Sequence, residues 1–448
     1  MKIETTKRIA TSILIAAALP ILPVAQDQSI PVTKQVRYVV KALNTLGGTG
    51  GVGEAINNKG WISGGANLPG DSTEHAAIWR NGRITDLGTL GGPNSRVVGG
   101  VKNNRGEVAG GSETSVADPL GETVCSTFVA GFSGQQLICL GFVWRNGVMT
   151  ALPTLGGNNG FAFGGVNNRG QIVGFAENST QDPACPSPQV LDFEAVVWGP
   201  APGQIQELPP YSGDTVGIAA EMNDHGQAVG VTGLCSALST AIAHAVLWQN
   251  GSAVDLGNLG SQLFNWAYTI NESGQVAGAA GLTGDATWHA FLWQGGAMTD
   301  LGVLPGDVMS QSNGMNNIGQ VVGTSCNDIN FDICHAFVWQ DGAMTDLNDL
   351  IPANSALQLV IANDINDRGE IAGYAYDPST GDGPGFLAIP CDKYHAHVAG
   401  CQHQADLGRL PLSEAGGGLK LILPETVRAQ IRLGQNIARF RPRLSEMQ

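Results

Sequence analysis

"VNNRGQIVG", Val166 to Gly174, packs three amides, a cation and two glycines into one short stretch. Taken alone it has the composition of a ligand loop. The same stretch returns as "INNKGWISG" at 56, "VKNNRGEVAG" at 101, "MNDHGQAVG" at 222, "INESGQVAG" at 270, "MNNIGQVVG" at 315 and "INDRGEIAG" at 365. Seven copies make it a matter of architecture first. An Asn that bonds its own backbone downstream, followed by a Gly that accepts positive φ, specifies a hairpin in which a type I turn leads into a bulge. The third turn position runs Lys59, Arg105, Arg169, His225, Ser273, Ile318 and Arg368. A solvent-facing turn tolerates that variation and a shared chemistry does not, so Asn167, Asn168 and Arg169 read as a turn.

Downstream of each turn lies a second hairpin: "HAAIWRNGRITDL" at 75, "GFVWRNGVMTAL" at 141, "AVVWGPAPGQIQEL" at 195, "HAVLWQNGSAVDL" at 244, "HAFLWQGGAMTDL" at 289 and "HAFVWQDGAMTDL" at 335. An alternating apolar strand meets Asn-Gly, Gly-Gly or Asp-Gly, and a second strand ends at Leu. One unit is therefore four short antiparallel strands. The Trp residues at 79, 144, 198, 248, 293 and 339 mark the third strand, and the extra length of the longer units falls between the second and third strands.

The ends of the array decide between a ring and an open stack. The seventh unit has three strands, "LVIANDIN", "EIAGYAY" and "GFLAI", and no fourth. Near the start, "RYVVKALNTLGG" reads as an isolated fourth strand, with Leu43 in the place of Leu87 and Leu347 and "NTLGG" matching "GTLGG" at 88. Seven complete units exist only if these two pieces pair, which predicts an all-β, seven-bladed β-propeller closed by its N-terminal strand. An open β-solenoid is the alternative, but its repeats are usually shorter and need no strand from the opposite end. In a propeller the first strand of each unit lines the axis, and the small residues Gly99, Gly100, Gly164, Gly165, Ala219 and Ala220 suit that crowding. Ile56, Val101, Val166, Met222, Ile270, Met315 and Ile365 are then placed between blades, with the Trp series further out.

The "HAFLW" and "HAFVW" strings, together with "TDLGTLGG" and the Asn-Gly turns, resemble the bacterial extracellular HAF-repeat family over about residues 36–390. That resemblance implies export and a repeat fold, and supplies no activity or catalytic residue. Units two, three and seven depart from it, with Leu140, Glu194 and Pro384 where the His would stand.

Composition and charge agree with one large repeat domain carrying appendages. Gly is 63 of 448 residues, about twice the usual share. Residues 1–25 join Lys2, Lys7 and Arg8 to an apolar run from Ile9 to about Val24, the pattern of a secretory signal peptide. A retained anchor is disfavoured, because Pro20 and Pro23 break a run shorter than the ~20 residues a span needs. No later segment is apolar enough to span a bilayer. Removing this leader, with three cations and one anion, takes the formal charge from −15 to −17. Gly170 to Asp367 holds 20 acids and no Lys or Arg, so the body is not expected to bind nucleic acid. Residues 26–390 form the propeller in this reading, and 391–448 a tail with eight cations and five anions.

Eight cysteines in an exported chain point to bridges. Cys125 with Cys139, Cys326 with Cys334 and Cys391 with Cys401 are close in sequence, which leaves Cys185 for Cys235. On the propeller, the first six lie in or beside connections between second and third strands, and Cys185 and Cys235 belong to adjacent blades.

No catalytic, cofactor or metal set emerges. His75, His244, His289 and His335 hold one position in four blades, radiate around a ring, and read as amphipathic packing residues rather than metal ligands. "NDINDRGE" at 363 resembles a calcium loop, but Arg368 stands where an oxygen ligand is needed. In "CDKYHAHVAGCQHQ", His395, His397 and His403 lie between and beside Cys391 and Cys401, without finger spacing, and a bridge is expected over a zinc site. In the tail, Pro424 and Glu425 suit a helix start, and Val427, Ile431 and Phe440 form an apolar stripe among five arginines. Such a segment either lies on a membrane surface or, as the expectation here, docks on its own acidic propeller or stays mobile. "LPET" lacks the Gly of a sortase signal.

The function expected is a non-catalytic exported binding or scaffold module. It would use the rim that carries residues 112–140 and 178–194 and take a protein or carbohydrate ligand without a cofactor. The alternative is a secreted propeller enzyme acting on polysaccharide with acids in those loops.

Overall fold

The computed structural model describes residues 36–99, 103–125, 136–235, 243–284, 287–401, 422–425 and 427–428. The leader reading at 1–25 lies outside them, as do Gly100, Val101, His403, the centre of the long insert at 126–135 and the tail beyond Arg428. The described residues form seven four-stranded antiparallel sheets. Blade one is Gly51–Ile56, Ile62–Asn67, Glu74–Arg80 and Arg83–Asp86, from the axis outward. Blades two to six span 91–151, 156–207, 216–255, 260–300 and 309–346 in the same order. Blade seven is 358–390 with Tyr38–Ala42 as its outer strand. The chain is a seven-bladed β-propeller.

Each inner turn has the geometry its residues require. In blade three, Gly170 (φ +82°) donates to the Asn167 carbonyl at 3.0 Å, and Asn167 Oδ1 accepts from the backbones of Arg169 and Gln171 at 3.0 and 2.9 Å. The outer hairpins place Asn81, Asn146, Asn250 and Asp341 at φ near +52°, ahead of a positive-φ Gly, as a type I′ turn demands.

The repeated Asn also closes the ring. Its Nδ2 donates across to the corresponding backbone carbonyl of the next blade: Asn57 to Asn103 (3.1 Å), Asn167 to Asn223 (3.2 Å), Asn223 to Asn271 (3.1 Å), Asn271 to Asn316 (3.2 Å), Asn316 to Asn366 (3.1 Å) and Asn366 to Asn57 (2.9 Å). At the remaining joint, Asn103 turns to its own Glu107 carbonyl at 2.6 Å. A buried amide bond at each of the six joints that have one contributes about 1 kcal/mol net and costs more than that when its partner is removed. Closure is completed outside by Tyr38–Ala42, which pairs in register with Phe386–Pro390, while Leu43 packs with Ile56, Ile62, Trp79 and Ala372 between blades seven and one.

Inner strands bulge at one equivalent place, between Gly53 and Ala55, Ala162 and Gly164, Ala219 and Glu221, Ala267 and Thr269, Ser312 and Gly314, and Ala362 and Asp364. The extra residues, Glu54, Phe163, Ala220, Tyr268, Asn313 and Asn363, line the axis together with Gly99 of blade two. A bulge turns one side chain out of the ladder and toward the centre. This corrects the expectation of an axis lined by small residues. Gly99 and Ala220 do line it, but so do Phe163, Trp266 and Tyr268. Gly164 is small for another reason: a Cβ there would stand 2.6 Å from the Ala220 carbonyl of the next blade.

Candidate binding face

Both hairpin series turn on one face; the connections between second and third strands and between blades lie on the other. The two long inserts are narrower than 112–140 and 178–194, because strands Val108–Ala117, Leu137–Arg145, Ile172–Gln181 and Leu191–Trp198 run into them. The true connections are 118–136 and 182–190. The eight cysteines form Cys125–Cys139, Cys185–Cys235, Cys326–Cys334 and Cys391–Cys401. Cys185–Cys235 ties blade three to blade four. Cys326 and Cys334 are direct cross-strand partners in blade six.

A buried polar network joins the two inserts. Asn159 Nδ2 reaches Asp118 Oδ2 at 2.8 Å and Glu177 Oε2 at 3.0 Å, and Gln189 Nε2 reaches Glu122 Oε1 at 3.1 Å and Glu177 Oε1 at 2.9 Å. Glu122 Oε1 also accepts the backbone N–H groups of Val190 and Leu191 at 2.7 and 2.9 Å. Glu122, Asn159 and Glu177 are fully buried. Burial, reinforced by the Glu122 charge, lifts the Glu177 carboxyl to about 7 against the hydrogen bonds from Gln189 and Asn159. Composition gives no warning of this network, since its members come from two blades and carry no shared spacing.

Over blades six, seven and one, the same face is covered by the chain's own tail. Leu423 donates to the Asp332 carbonyl at 2.8 Å, and Leu423 and Val427 are buried against Phe331, Val360, Tyr374 and Tyr376. Arg428 pairs with Asp332 and with Glu425 (3.0 Å). The docking expectation holds for the described part of the tail.

Along the axis, the bulge residues enclose a cavity of about 60 Å³. That holds a few waters and is far below the ~300 Å³ of a small-molecule pocket. Thr269 Oγ1 and Gln311 Oε1 on its wall have no hydrogen-bond partner among the described residues, as in a wet neck. Beside it, Arg96 is buried between Glu54 (2.7 Å) and Glu74 (3.5 Å). Burial raises Glu74 to about 7, with Arg96 pulling down and Glu54 pushing up.

The repeated histidines do not meet, but they are not mere packing residues. His75 Nδ1 lies 2.9 Å from Asp86, His289 Nδ1 2.9 Å from Asp300, and His244 Nδ1 2.9 Å from Asp214. For His335, burial is outweighed by Asp307 and the nearby Asp346 and Asp349, and its pKa rises. The "HAF" His and the "TDL" Asp are thus one structural pair in blades one and five. His395 is buried and bridges Asp392 (2.8 Å) and Glu370 (3.5 Å), while its flanking cysteines are bonded to each other. Asp182, Cys185, Asp192 and Cys235 cluster closely, but the two sulfurs are joined and neither offers a thiolate. "NDINDRGE" forms a strand end and a turn.

No protein-family model matches the chain, and no curated protein matches it. Among solved structures, it is similar to the β-propeller domain of the Trilobed protease of Pyrococcus furiosus, described as having an open velcro topology (8% identity, 77% of this chain and 98% of that one, TM-score 0.39). It is also similar to the acylaminoacyl peptidase of Pyrococcus horikoshii (10% identity, 82% and 54%, TM-score 0.40) and to a Trypanosoma rangeli sialidase (9% identity, 69% and 55%, TM-score 0.37). The match spans about half the length of those two enzymes. Among the described residues, no helix is long and apolar enough to cross a membrane.

Proposed function

We propose that the chain is an exported binding or scaffold module whose partner, a protein or a carbohydrate, docks on the loop rim of blades two to four. The observation that carries this reading is the cross-bracing of residues 118–122 and 189–191 by the Asp118–Asn159–Glu177–Gln189–Glu122 network. Variable loops held rigid on a scaffold present a preorganised surface. The opposite sector of the same rim is taken by residues 422–428. Export rests on the leader reading, the resemblance to HAF-repeat proteins and the four bridges. The acidic body favours cationic or neutral partners at this rim.

The test replaces 126–135 with a Gly-Ser linker, leaving Asp118, Glu122 and the strands intact. It compares this variant with Asn168→Asp/Arg169→Ser against purified partner candidates and arrays restricted to neutral and cationic glycans. Binding lost by the loop variant and kept by the turn variant supports the rim; the reverse result overturns it. A hydrolase reading has one observation in its favour: Asp192 and Asp182 bring carboxylate oxygens within 4.8 Å of each other at the rim, and burial followed by the Asp182 charge raises the Asp192 pKa. Polysaccharide cleavage abolished by Asp192→Asn would replace the binding reading with that one.

A further inference from the structure

The turn face carries a charge pattern that the repeat does not require. The third turn position is cationic in four consecutive blades, seven, one, two and three (Arg368, Lys59, Arg105 and Arg169), and is His225, Ser273 and Ile318 in the other three. The residue after the third-strand Trp is cationic in blades one and two (Arg80 and Arg145), Gly199 in blade three, and Gln249, Gln294 and Gln340 in blades four to six. Those glutamines accept from Gln227, Gln275 and Gln320 at 3.2, 3.1 and 2.8 Å, so the ring has a neutral solution for this site and departs from it on one side only.

The cations form one continuous arc because the arginines reach over the glycine of the next blade's turn. Arg368 Nη2 lies 2.9 Å from where a Cβ on Gly60 would stand, Arg80 Nη2 2.5 Å from that of Gly106, Arg105 Nη2 3.5 Å from that of Gly170, and Arg169 Nη1 4.0 Å from that of Gly226. Arg80 also donates to the Gly106 carbonyl at 3.0 Å. Arg80 and Lys59 are held over the Trp61 ring at 4.5 and 4.8 Å, contacts that fix a cation without neutralising it. Arg105 and Arg145 share the single carboxylate Glu107 at 2.9 and 3.0 Å. Six cations thus face three carboxylates on these turns, Asp367, Glu370 and Glu107, in a chain whose net charge is −15.

We propose that this arc is a second binding site, on the face opposite the loop rim, for a carboxylated polysaccharide built of uronic acid units. Guanidinium forks fit carboxylates, and a blade-by-blade array of cations matches a polymer with regularly spaced charge. A nucleic acid is the poorer match. Duplex DNA carries a charge every ~1.7 Å, and the acid-only stretch of blades four to six flanks the arc.

The molecule's own repeats supply variants that should fold: Arg105→Ser and Arg169→Ser copy Ser273, and Arg80→Gln copies Gln249. Calorimetric titration of the intact chain with oligogalacturonate should show saturable, salt-sensitive binding. The triple variant, checked for an unchanged thermal transition, should bind at least about tenfold more weakly. Methyl-esterified oligogalacturonate should not bind. Absence of wild-type binding, equal binding by the folded triple variant, or tighter binding of oligodeoxythymidylate would each overturn the assignment. None of these outcomes bears on the loop rim.

Discussion

On the turn face, seven hairpins of one design set Asn beside Asn around the axis, with six of the amides bonded to the next blade. On the loop face, the connections between second and third strands run from 283–287 in blade five to 118–136 in blade two, and are held by disulfides, a buried carboxylate network and a docked tail. The two faces are braced for different reasons. The turn face is braced by repetition, with many equal bonds between neighbours. The loop face is braced by exceptions, each made once.

The largest expected effect tests the ring that both faces depend on. Deleting residues 26–46 removes the outer strand of blade seven and exposes the Gly385–Pro390 edge and its buried Phe386. The melting temperature should fall by about 10 °C or more, or the chain should aggregate; an unchanged melt would break the closure. Next, Cys185→Ser with Cys235→Ser opens a loop of separation 50, which by chain entropy costs about 4 kcal/mol in denaturant unfolding. A loss no larger than that from one turn amide would erase the contrast between the faces.

Smaller effects sharpen the comparison. Asn271→Ala removes bonds with Ser273, Gln275 and Asn316 and should cost about 2–3 kcal/mol while leaving rim binding intact. Glu194, which replaces the "HAF" His in blade three, is raised to about 7 by burial and then by Glu207 and Asp192. A carboxyl with a folded pKa above its unfolded value binds more protons when folded, so its contribution is present at pH 4–5 and is lost as pH rises through 7. Glu194→Gln should flatten that fall in urea unfolding between pH 5 and 8, by about 1 kcal/mol for this partly exposed group. Ser273→Lys, at the variable turn position, should change stability by less than about 0.5 kcal/mol; a large effect would show that the third position is structural.

Much of this was legible in the chain itself. Asn and Gly at fixed offsets announced turns, and Trp79, Trp144 and Trp198 marked the third strands. The unmatched fourth strand at 38–42 announced the ring. The cysteine pairs followed once the blades were ordered, because short separations within a blade leave few partners. The buried network was not legible, since Asp118, Asn159, Glu177 and Gln189 are ordinary surface residue types until two blades bring them together. The role of "HAF" was half legible: the His was visible as a repeat, but its carboxylate partner is supplied by the next strand in blades one and five and by the preceding inter-blade connection in blade four.

Local chain chemistry, read without coordinates, determined the elements, their count and their closure. Turn residues, strand period and hairpin dipeptides act over a few positions, and a fold repeated seven times states each of them seven times. The tertiary structure decided what lies at the centre and what lies on the faces. The inner-strand bulges chose which side chains meet on the axis, and the ring brought Arg368, Arg80, Arg105 and Arg169 into one arc across glycines of the following blades. Those outcomes depend on distances between residues far apart in the chain, and such distances exist only once the ring has closed.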